Sequence, residues 1–389
     1  MDSEAWAPNG LPAREYLLVL LTAAATTFLL TGLVRLLAIR VGAVAYPRQR
    51  DVHVQPMPRM GGVAMYGGVV AAIFLASNLP VLSRGFTYSN DAWAALAAGG
   101  LIVLVGALDD RFELDSLTKL AGQVTAAGIL VIAGVQWFVL WVPWGGTEDS
   151  VGQVLIFSSN QGQLLTVLLT VAMINAMNFV DGLDGLASGI GLISATATFV
   201  FCLSLLDRQN GDVNAYPPAL IAAAIAGACL GFLPYNFQPA RLFMGDSGSM
   251  LIGLMLATAS TSASGRVLNY PDVDPTDTIG LLSPLLVVAA VLFVPLLDLI
   301  MAVVRRTKAG KSPFHADKMH LHHRLLEIGH SQRRAVLLIY LWAAVIAFGA
   351  VSLTLFNVVV VAWVVGLGVL LAAIISVIPR LRARAERES

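Results

Sequence analysis

The sequence contains few charged residues and almost no cysteine. Asp, Glu, Lys and Arg together make up 12% of its 389 residues, against about 25% in a typical soluble domain. The two cysteines, Cys202 and Cys229, both lie in apolar runs, which excludes a disulfide framework and a zinc site built from several thiolates. The 24 basic residues are balanced by 24 acidic ones, so no net charge attracts nucleic acid. We therefore expect neither a soluble globular protein nor a nucleic-acid partner.

Apolar residues are what the sequence has in excess. They account for 57% of the chain, and the mean hydropathy is +0.77. A membrane-spanning helix needs about 20 mostly apolar residues. The pattern therefore predicts an all-α polytopic integral membrane protein with about eleven transmembrane helices, in a single membrane-embedded domain over residues 1–389. The predicted spans are 16–38, 61–79, 91–108, 117–135, 163–180, 185–206, 216–233, 247–263, 281–304, 334–352 and 356–378.

The basic residues fall mostly on one side of the predicted membrane. If the first loop is taken as inside, every Lys and Arg lies inside except Arg14, Arg84, Arg208 and Arg266. The positive-inside rule identifies that side as the cytoplasm, which puts the N-terminus outside and the C-terminus inside. The N-terminus lacks the basic region of a secretory signal, so we expect the first span to be retained.

Three connecting segments have a character of their own. Residues 305–333 form a basic, His-rich loop and residues 380–389 a tail, and both are predicted to be cytoplasmic. Between the fourth and fifth spans, two short apolar runs flank a Gly-Gly-Thr-Glu-Asp turn, which favours a small periplasmic hairpin.

Two adjacent carboxylates, Asp109 and Asp110, end the third predicted span, and Lys119 begins the next one. An ionisable group at the membrane boundary is costly and is therefore a candidate for function. A solvated helix end would explain the Asp pair equally well, so the pair alone decides nothing.

The fifth predicted span ends in amides and carboxylates. Asn175, Asn178 and Asp181 are three residues apart, so they lie on one face of a helix. Asp184 follows in a turn that contains two glycines. A mere connection between two helices explains this density of polar groups poorly.

Asp246 lies just before the eighth predicted span, in a Gly-Asp-Ser-Gly stretch. Its position suits an N-cap, which contributes about 1 kcal/mol to the stability of a helix. Its carboxylate also suits Mg²⁺, a hard cation that takes carboxylate oxygens and shares its shell with phosphates.

Histidines cluster in the loop between the ninth and tenth spans, as His320, His322, His323 and Arg324. Imidazoles beside an Arg can donate hydrogen bonds to the phosphates of a polyanion. A zinc site is the competing interpretation, but the sequence has no His-Glu-x-x-His motif and no cysteine nearby. A solvated basic loop remains the third interpretation.

These polar groups share the predicted cytoplasmic face. Carboxylates for Mg²⁺, amides for orientation and basic groups for oxygen charge suit a metal-assisted reaction of phosphates. A proton-coupled secondary transporter is the rival hypothesis, but it needs charged groups near the midplane and broken helices in both halves of a repeat. A non-catalytic scaffold would not need the cluster.

At these residues the sequence resembles the polyprenyl-phosphate N-acetylhexosamine-1-phosphate transferases, and the resemblance covers most of the chain. The branch that uses UDP-N-acetylmuramoyl-pentapeptide has three consecutive histidines, whereas Leu321 interrupts them here. The chain thus resembles the branch that uses UDP-N-acetylglucosamine (UDP-GlcNAc). Glu113 departs from a Lys of the former branch, so the role of that position is not transferred. The matching residues are His53, Pro58–Gly62, Asp109, Asp110, Lys119, Gln123, the run 175–185, Asn236, 245–248 and the His-x-His-His signature 320–323.

The resemblance implies an enzyme of the bacterial plasma membrane whose active site faces the cytoplasm. It would transfer GlcNAc-1-phosphate from UDP-GlcNAc to undecaprenyl or decaprenyl phosphate, with release of UMP, as the first membrane step of cell-envelope glycan synthesis. Another UDP-N-acetylhexosamine is the alternative donor. The resemblance further implies Mg²⁺, with Mn²⁺ as a substitute, and a homodimer among membrane lipids.

It also implies a role for each matching residue. Asp246 would bind the metal with Asn178, and Asp109, Asp110 and Asp181 would join it in catalysis. Asp109 or Asp110 would serve as the acid/base or as an orienting carboxylate. Asp184 would contact the uracil. The other expected substrate-binding residues are Lys119, Asn175, Asn236, Arg59, His53, His320, His322, His323 and Arg324.

The carrier phosphate is the expected nucleophile, and its charge decides whether the reaction needs a general base. The second pKa of a phosphate monoester is about 6, so the carrier phosphate is mostly a dianion at neutral pH and leaves a general base little to do. We therefore expect direct attack by the carrier phosphate rather than a covalent aspartyl intermediate, with positioning and electrostatics supplying most of the acceleration.

Overall fold

The computed structural model describes residues 11–46, 56–142, 153–265 and 329–388, together with a few single positions between 288 and 310. Most of these residues are helical. In chain order the helices are α1 (Ala13–Val41), α2 (Gly61–Ala76), α3 (Gly85–Tyr88), α4 (Asp91–Phe112), α5 (Ser116–Ile132), α6 (Ser159–Val180), α7 (Leu186–Arg208), α8 (Tyr216–Asn236), α9 (Gly245–Ser264), α10 (Gln332–Leu355) and α11 (Val358–Glu388).

The predicted all-α polytopic membrane fold is confirmed. Among the described residues, seven helices are long and apolar enough to cross a membrane, and α2 and α5 are shorter apolar helices. Ten of the eleven predicted spans coincide with a helix, while 281–304 lies almost wholly outside the described residues. The total number of spans and their orientation stay predictions. Helix α11 continues into the predicted tail 380–389 as far as Glu388, and the cytoplasmic location of that tail stays a prediction.

Helix α9 lies at the centre of the bundle. Every residue from Ser247 to Ser264 is buried, whereas a helix at the surface of a bundle would bury one face only. The helix packs against α2, α4, α6, α7 and α8. It is rich in Gly, Ala, Ser and Thr, and small residues let neighbouring helix backbones approach closely.

Glycines on α2 and α4 provide the room for the N-terminus of α9. A Cβ atom placed on Gly62 would lie 2.2 Å from the backbone nitrogen of Gly248, and one placed on Gly106 would lie 2.4 Å from the Cα of Ser247. No side chain fits at either distance. The first turn of α9 is therefore held between these two helices.

The segment before α2 also holds the segment before α9. Phe243 N donates to Pro58 O at 2.9 Å, and Gly61 N donates to Phe243 O at 3.2 Å. Gly62 N donates to Met244 O at 3.1 Å. The Pro-Arg-Met-Gly-Gly stretch thus fixes the chain where it enters α9.

Two short antiparallel strand pairs accompany the helices. Strands β1 (Val44–Ala45) and β2 (Met57–Pro58) pair beside the start of α2. Strands β3 (Val139–Val142) and β4 (Gln153–Ile156) form a hairpin between α5 and α6. This hairpin confirms the one expected from the sequence, and its side of the membrane stays a prediction.

Candidate active site

Lys119 joins two carboxylates that are far apart in the sequence. Its Nζ lies 3.1 Å from Oδ2 of Asp109 at the end of α4 and 3.1 Å from Oδ2 of Asp246 in the first turn of α9. The sequence predicted that these groups converge, and the structure brings them together. The interpretation of Asp246 as an N-cap is wrong, because α9 begins at Gly245 and no side chain caps it.

Asp109 is held by its own turn. Its Oδ1 accepts a hydrogen bond from Leu114 N at 2.8 Å, while Oδ2 faces Lys119. The turn is possible because Glu113 takes a left-handed backbone conformation with φ of +52° at the end of α4. Asp109 is 7% exposed, so its carboxylate points inward rather than into solvent.

Asp110 binds the N-terminus of α9. Its Oδ1 accepts from Asp246 N at 2.9 Å, and its Oδ2 accepts from the Ser247 hydroxyl at 2.8 Å and from Ser247 N at 3.4 Å. The first backbone N–H groups of a helix have no partner inside it and carry a partial positive charge. These contacts suit the orienting role that was one of the two expected for Asp109 or Asp110, and a direct part of Asp110 in the reaction stays a prediction.

Gly245 makes that contact possible. It has φ of +70°, a conformation that favours glycine. A Cβ atom there would lie 2.3 Å from both carboxylate oxygens of Asp110. The neighbours of Asp246 in the Gly-Asp-Ser-Gly stretch therefore help to position it. Gly245 leaves room for the Asp110 carboxylate, and the Ser247 hydroxyl donates a hydrogen bond to that carboxylate.

The two amides of α6 face different neighbours on one side of the helix. Asn178 Nδ2 donates to Ser249 Oγ at 3.0 Å, and its side chain also interacts with the carboxylate of Asp246. Asn175 Nδ2 donates to Gln123 Oε1 at 2.6 Å. The predicted common face thus applies to the two amides only, because Asp181 lies after the end of α6. Of the two, Asn178 reaches Asp246, whereas Asn175 joins α6 to α5.

Asp181 follows the last residue of α6. Burial raises the pKa of its carboxyl to about 7, and the charges of Asp246 and Asp110 add to this effect while the Arg59 guanidinium opposes it. The carboxylates of Asp246, Asp110 and Asp184 all act on this group, so acidic groups are concentrated here. Such a concentration is costly without a cation.

The donor set fits Mg²⁺. The ammonium group of Lys119 lies between the carboxylates of Asp109 and Asp246, so the arrangement already holds a cation there. Within the described residues, no three His, Cys, Asp or Glu side chains form a closed metal cage. Mg²⁺ in phosphate-transfer sites commonly uses one or two carboxylates together with waters and substrate phosphates, and Asp246 with Asn178 provides such a partial set.

Asn236 and Asp184 fix the loop between α8 and α9. Asn236 is 3% exposed; its Nδ2 donates to Leu242 O at 3.1 Å and its Oδ1 accepts from the Ser188 hydroxyl at 2.8 Å. These two bonds give Asn236 a structural role, and its expected role in substrate binding stays a prediction. Asp184 Oδ2 accepts from Ala240 N at 3.1 Å.

Several predicted site residues lie outside the described part of the chain, so their roles stay predictions. They are His53, His320, His322, His323 and Arg324. Conversely, the structure adds positioning residues that the sequence did not single out for that role. These are Gln123, Ser247, Ser249 and Gly106.

Comparison with known proteins identifies the family of this chain. The family model described as "Glycosyl transferase family 4" matches residues 92–264, from the start of α4 to the end of α9. A "Decaprenyl-phosphate N-acetylglucosaminephosphotransferase" from Mycolicibacterium smegmatis is 58% identical over 373 residues, which cover 96% of this chain and 90% of that protein. The chain belongs to this transferase family.

More distant members of the family extend the comparison. A "Probable undecaprenyl-phosphate N-acetylglucosaminyl 1-phosphate transferase" from Bacillus subtilis is 35% identical, over 84% of this chain and 82% of that protein. An "Undecaprenyl-phosphate alpha-N-acetylglucosaminyl 1-phosphate transferase" from Escherichia coli is 30% identical, over 80% of this chain and 77% of that protein. The matched family region contains both carboxylates that Lys119 joins.

Proposed function

We propose that the chain transfers GlcNAc-1-phosphate from UDP-GlcNAc to a polyprenyl phosphate. A phosphate oxygen of the carrier forms a bond to the phosphorus that bears GlcNAc, and the bond from that phosphorus to UMP breaks. The products are polyprenyl-pyrophosphoryl-GlcNAc and UMP. The convergence of Asp109, Lys119 and Asp246 carries this proposal, and the names of the relatives support the two substrates.

The decaprenyl carrier is the proposed acceptor, since relatives named for it share 56–58% identity with this chain and those named for undecaprenyl phosphate share 29–35%. We further propose a multi-pass protein of the bacterial plasma membrane with this site at its cytoplasmic face, on the basis of the Lys and Arg asymmetry. A homodimer is proposed from the resemblance alone.

Each residue has a defined task in the proposed reaction. Asp246 and Asn178 would hold Mg²⁺, which would neutralise charge on the pyrophosphate of the donor. Lys119 would bind phosphate oxygens of the substrates. Asp109 would hold Lys119 in place, so it acts on orientation rather than on a proton.

A reconstituted assay tests the proposal. The purified chain in phosphatidylcholine vesicles receives decaprenyl phosphate, Mg²⁺ and radiolabelled UDP-GlcNAc. We expect an organic-extractable product whose mass equals decaprenyl-pyrophosphoryl-GlcNAc, with one UMP released per product. The rival hypothesis, a transporter, predicts neither product. Assays with undecaprenyl phosphate and with UDP-N-acetylgalactosamine test the choice of carrier and sugar.

Asp109→Asn distinguishes direct attack from a covalent intermediate. With direct attack the variant keeps measurable turnover, because the dianionic carrier phosphate needs no base and Lys119 still has Asp246. Its activity should rise as the pH increases through about 6, where the carrier phosphate loses its second proton. The measurement is kcat between pH 5 and pH 8. Complete loss of turnover with unchanged binding of UDP-GlcNAc would favour an aspartyl intermediate instead.

A further inference from the structure

Three segments around the site are tied to one another. They are the turn 181–185 after α6, the loop 237–244 before α9, and the N-terminal half of α10. One hydrogen bond connects each pair of segments, and we call the three bonds the joint. They run from Ala240 to Asp184, from Gln238 to Gln332, and from Tyr340 to Gly185.

Two of the three bonds of the joint involve the loop that leads into α9. Ala240 N donates to Asp184 Oδ2 at 3.1 Å, which links the loop to the turn. Gln238 Nε2 donates to Gln332 Oε1 at 2.5 Å, which links the loop to the first residue of α10. Because Asp246 lies in the first turn of α9, directly after this loop, both bonds help to position it.

Tyr340 supplies the third bond of the joint. Its hydroxyl donates to the carbonyl oxygen of Gly185. The same oxygen accepts from the Ser188 hydroxyl at 3.1 Å and from Gly189 N at 2.9 Å, but both of those donors belong to α7 and move with it. Among the described residues, the Tyr340 hydroxyl is therefore the donor that fixes this carbonyl relative to another helix.

The local sequence is built around the tyrosine ring. A Cβ atom on Gly189 would lie 2.0 Å from Tyr340 Cζ, so the ring fits only because residue 189 is glycine. Gly185 has φ of +79°, in the region that favours glycine. Because glycine gives this turn backbone freedom, the hydrogen bond from Tyr340 helps to fix its conformation.

We propose that the joint sets the distance between the part of the site that takes the nucleoside and the part that takes the pyrophosphate, and that Tyr340 is a positioning residue for a UDP-sugar donor. The inference rests on the proposed function, in which Asp246 acts at the phosphates, and on the contact of Asp184 with uracil that the resemblance implies. A donor that spans both parts needs them at a fixed separation. A ligand that occupies only the nucleoside part does not.

Tyr340→Phe tests this, since it removes the hydroxyl and keeps the ring packed on Gly189. The dissociation constants of UDP-GlcNAc and of uridine, with Mg²⁺ present, come from the ligand-dependent rise in unfolding temperature of the full-length protein. We expect weaker binding of UDP-GlcNAc, and a higher KM for it, by about 3- to 10-fold. Uridine binding and the KM for polyprenyl phosphate should stay within about twofold of wild type.

Tyr66→Phe is the matched control. Tyr66 of α2 also donates its hydroxyl to a backbone carbonyl of another helix, that of Leu96 in α4, at 2.9 Å. Leu96 precedes Asp109 by 13 residues, about 20 Å along the helix. This variant loses an equivalent bond and should leave both dissociation constants unchanged.

A second variant, Gln332→Ala, removes another bond of the joint, the one between Gln332 and Gln238. It should weaken UDP-GlcNAc binding in the same direction, and its effect should not add fully to that of Tyr340→Phe. Unchanged UDP-GlcNAc binding in Tyr340→Phe would overturn the inference, and so would equal losses for uridine and UDP-GlcNAc or an equal loss in Tyr66→Phe. If the wild type binds UDP-GlcNAc without transferring it, the proposed function fails while these binding comparisons still decide the role of the joint.

Discussion

Asp246→Ala is expected to lower turnover by at least about 1,000-fold and to remove the response of the enzyme to Mg²⁺. The carboxylate of Asp246 is the one that Lys119 and Asn178 both approach, so its loss removes the main oxygen ligand proposed for the metal. The measurements are UMP release and the rise in unfolding temperature on titration with MgCl₂. The wild type should be stabilised by Mg²⁺ and the variant should not.

The variant should still fold. Asp110 bonds the backbone N–H of residue 246 rather than its side chain, and Lys119 keeps its contact with Asp109. Asp115→Ala is the matched control, because Asp115 is an exposed aspartate at the start of α5 that accepts from Thr118 N at 3.3 Å. It should lower helix stability slightly through the lost N-cap and leave activity and the Mg²⁺ response intact. A Mg²⁺ response that survives in Asp246→Ala would contradict the proposed metal site.

The helices and part of the site could be predicted because their signals are local. A run of apolar residues predicts a helix wherever it packs, and the spacing of Asn175 and Asn178 predicts a shared face at any position of α6. The roles of Asp110 and Asn236 could not be predicted in this way. Both are polar residues whose partners are not visible in the local sequence. Asp110 binds the start of α9, 136 residues away, and Asn236 bonds Ser188, 48 residues away.

The role of a glycine at a close contact between helices is also hard to predict from the local sequence. Gly106 carries no local signal, since it lies inside an apolar helix where glycine is merely unfavourable. Glycine is needed at this position because the backbone of α9 would lie 2.4 Å from a Cβ atom on residue 106. Close approach between helices depends on both partners, and a single sequence shows only one of them at a time.

Gly245→Ala is expected to lower activity by about 10- to 100-fold and to destabilise the protein by at least about 1–2 kcal/mol, the cost of a left-handed conformation for a residue with a Cβ. Its Cβ would also lie 2.3 Å from both oxygens of Asp110, so the carboxylate must leave the N-terminus of α9. Asp246 would then lose its fixed place beside Lys119. The measurements are kcat for UMP release and the unfolding temperature.

Gly128→Ala is the matched control, because Gly128 lies in helix α5 and a Cβ atom there meets nothing within 4 Å. It should leave activity unchanged and raise stability slightly, since alanine favours a helix over glycine by about 1 kcal/mol. If the contact with Asp110 causes the loss, Asp110→Ala should cost less activity in the Gly245→Ala background than in the wild type. Full additivity of the two substitutions would show instead that Asp110 acts independently of its bond to α9, and its assignment as a positioning residue would fall.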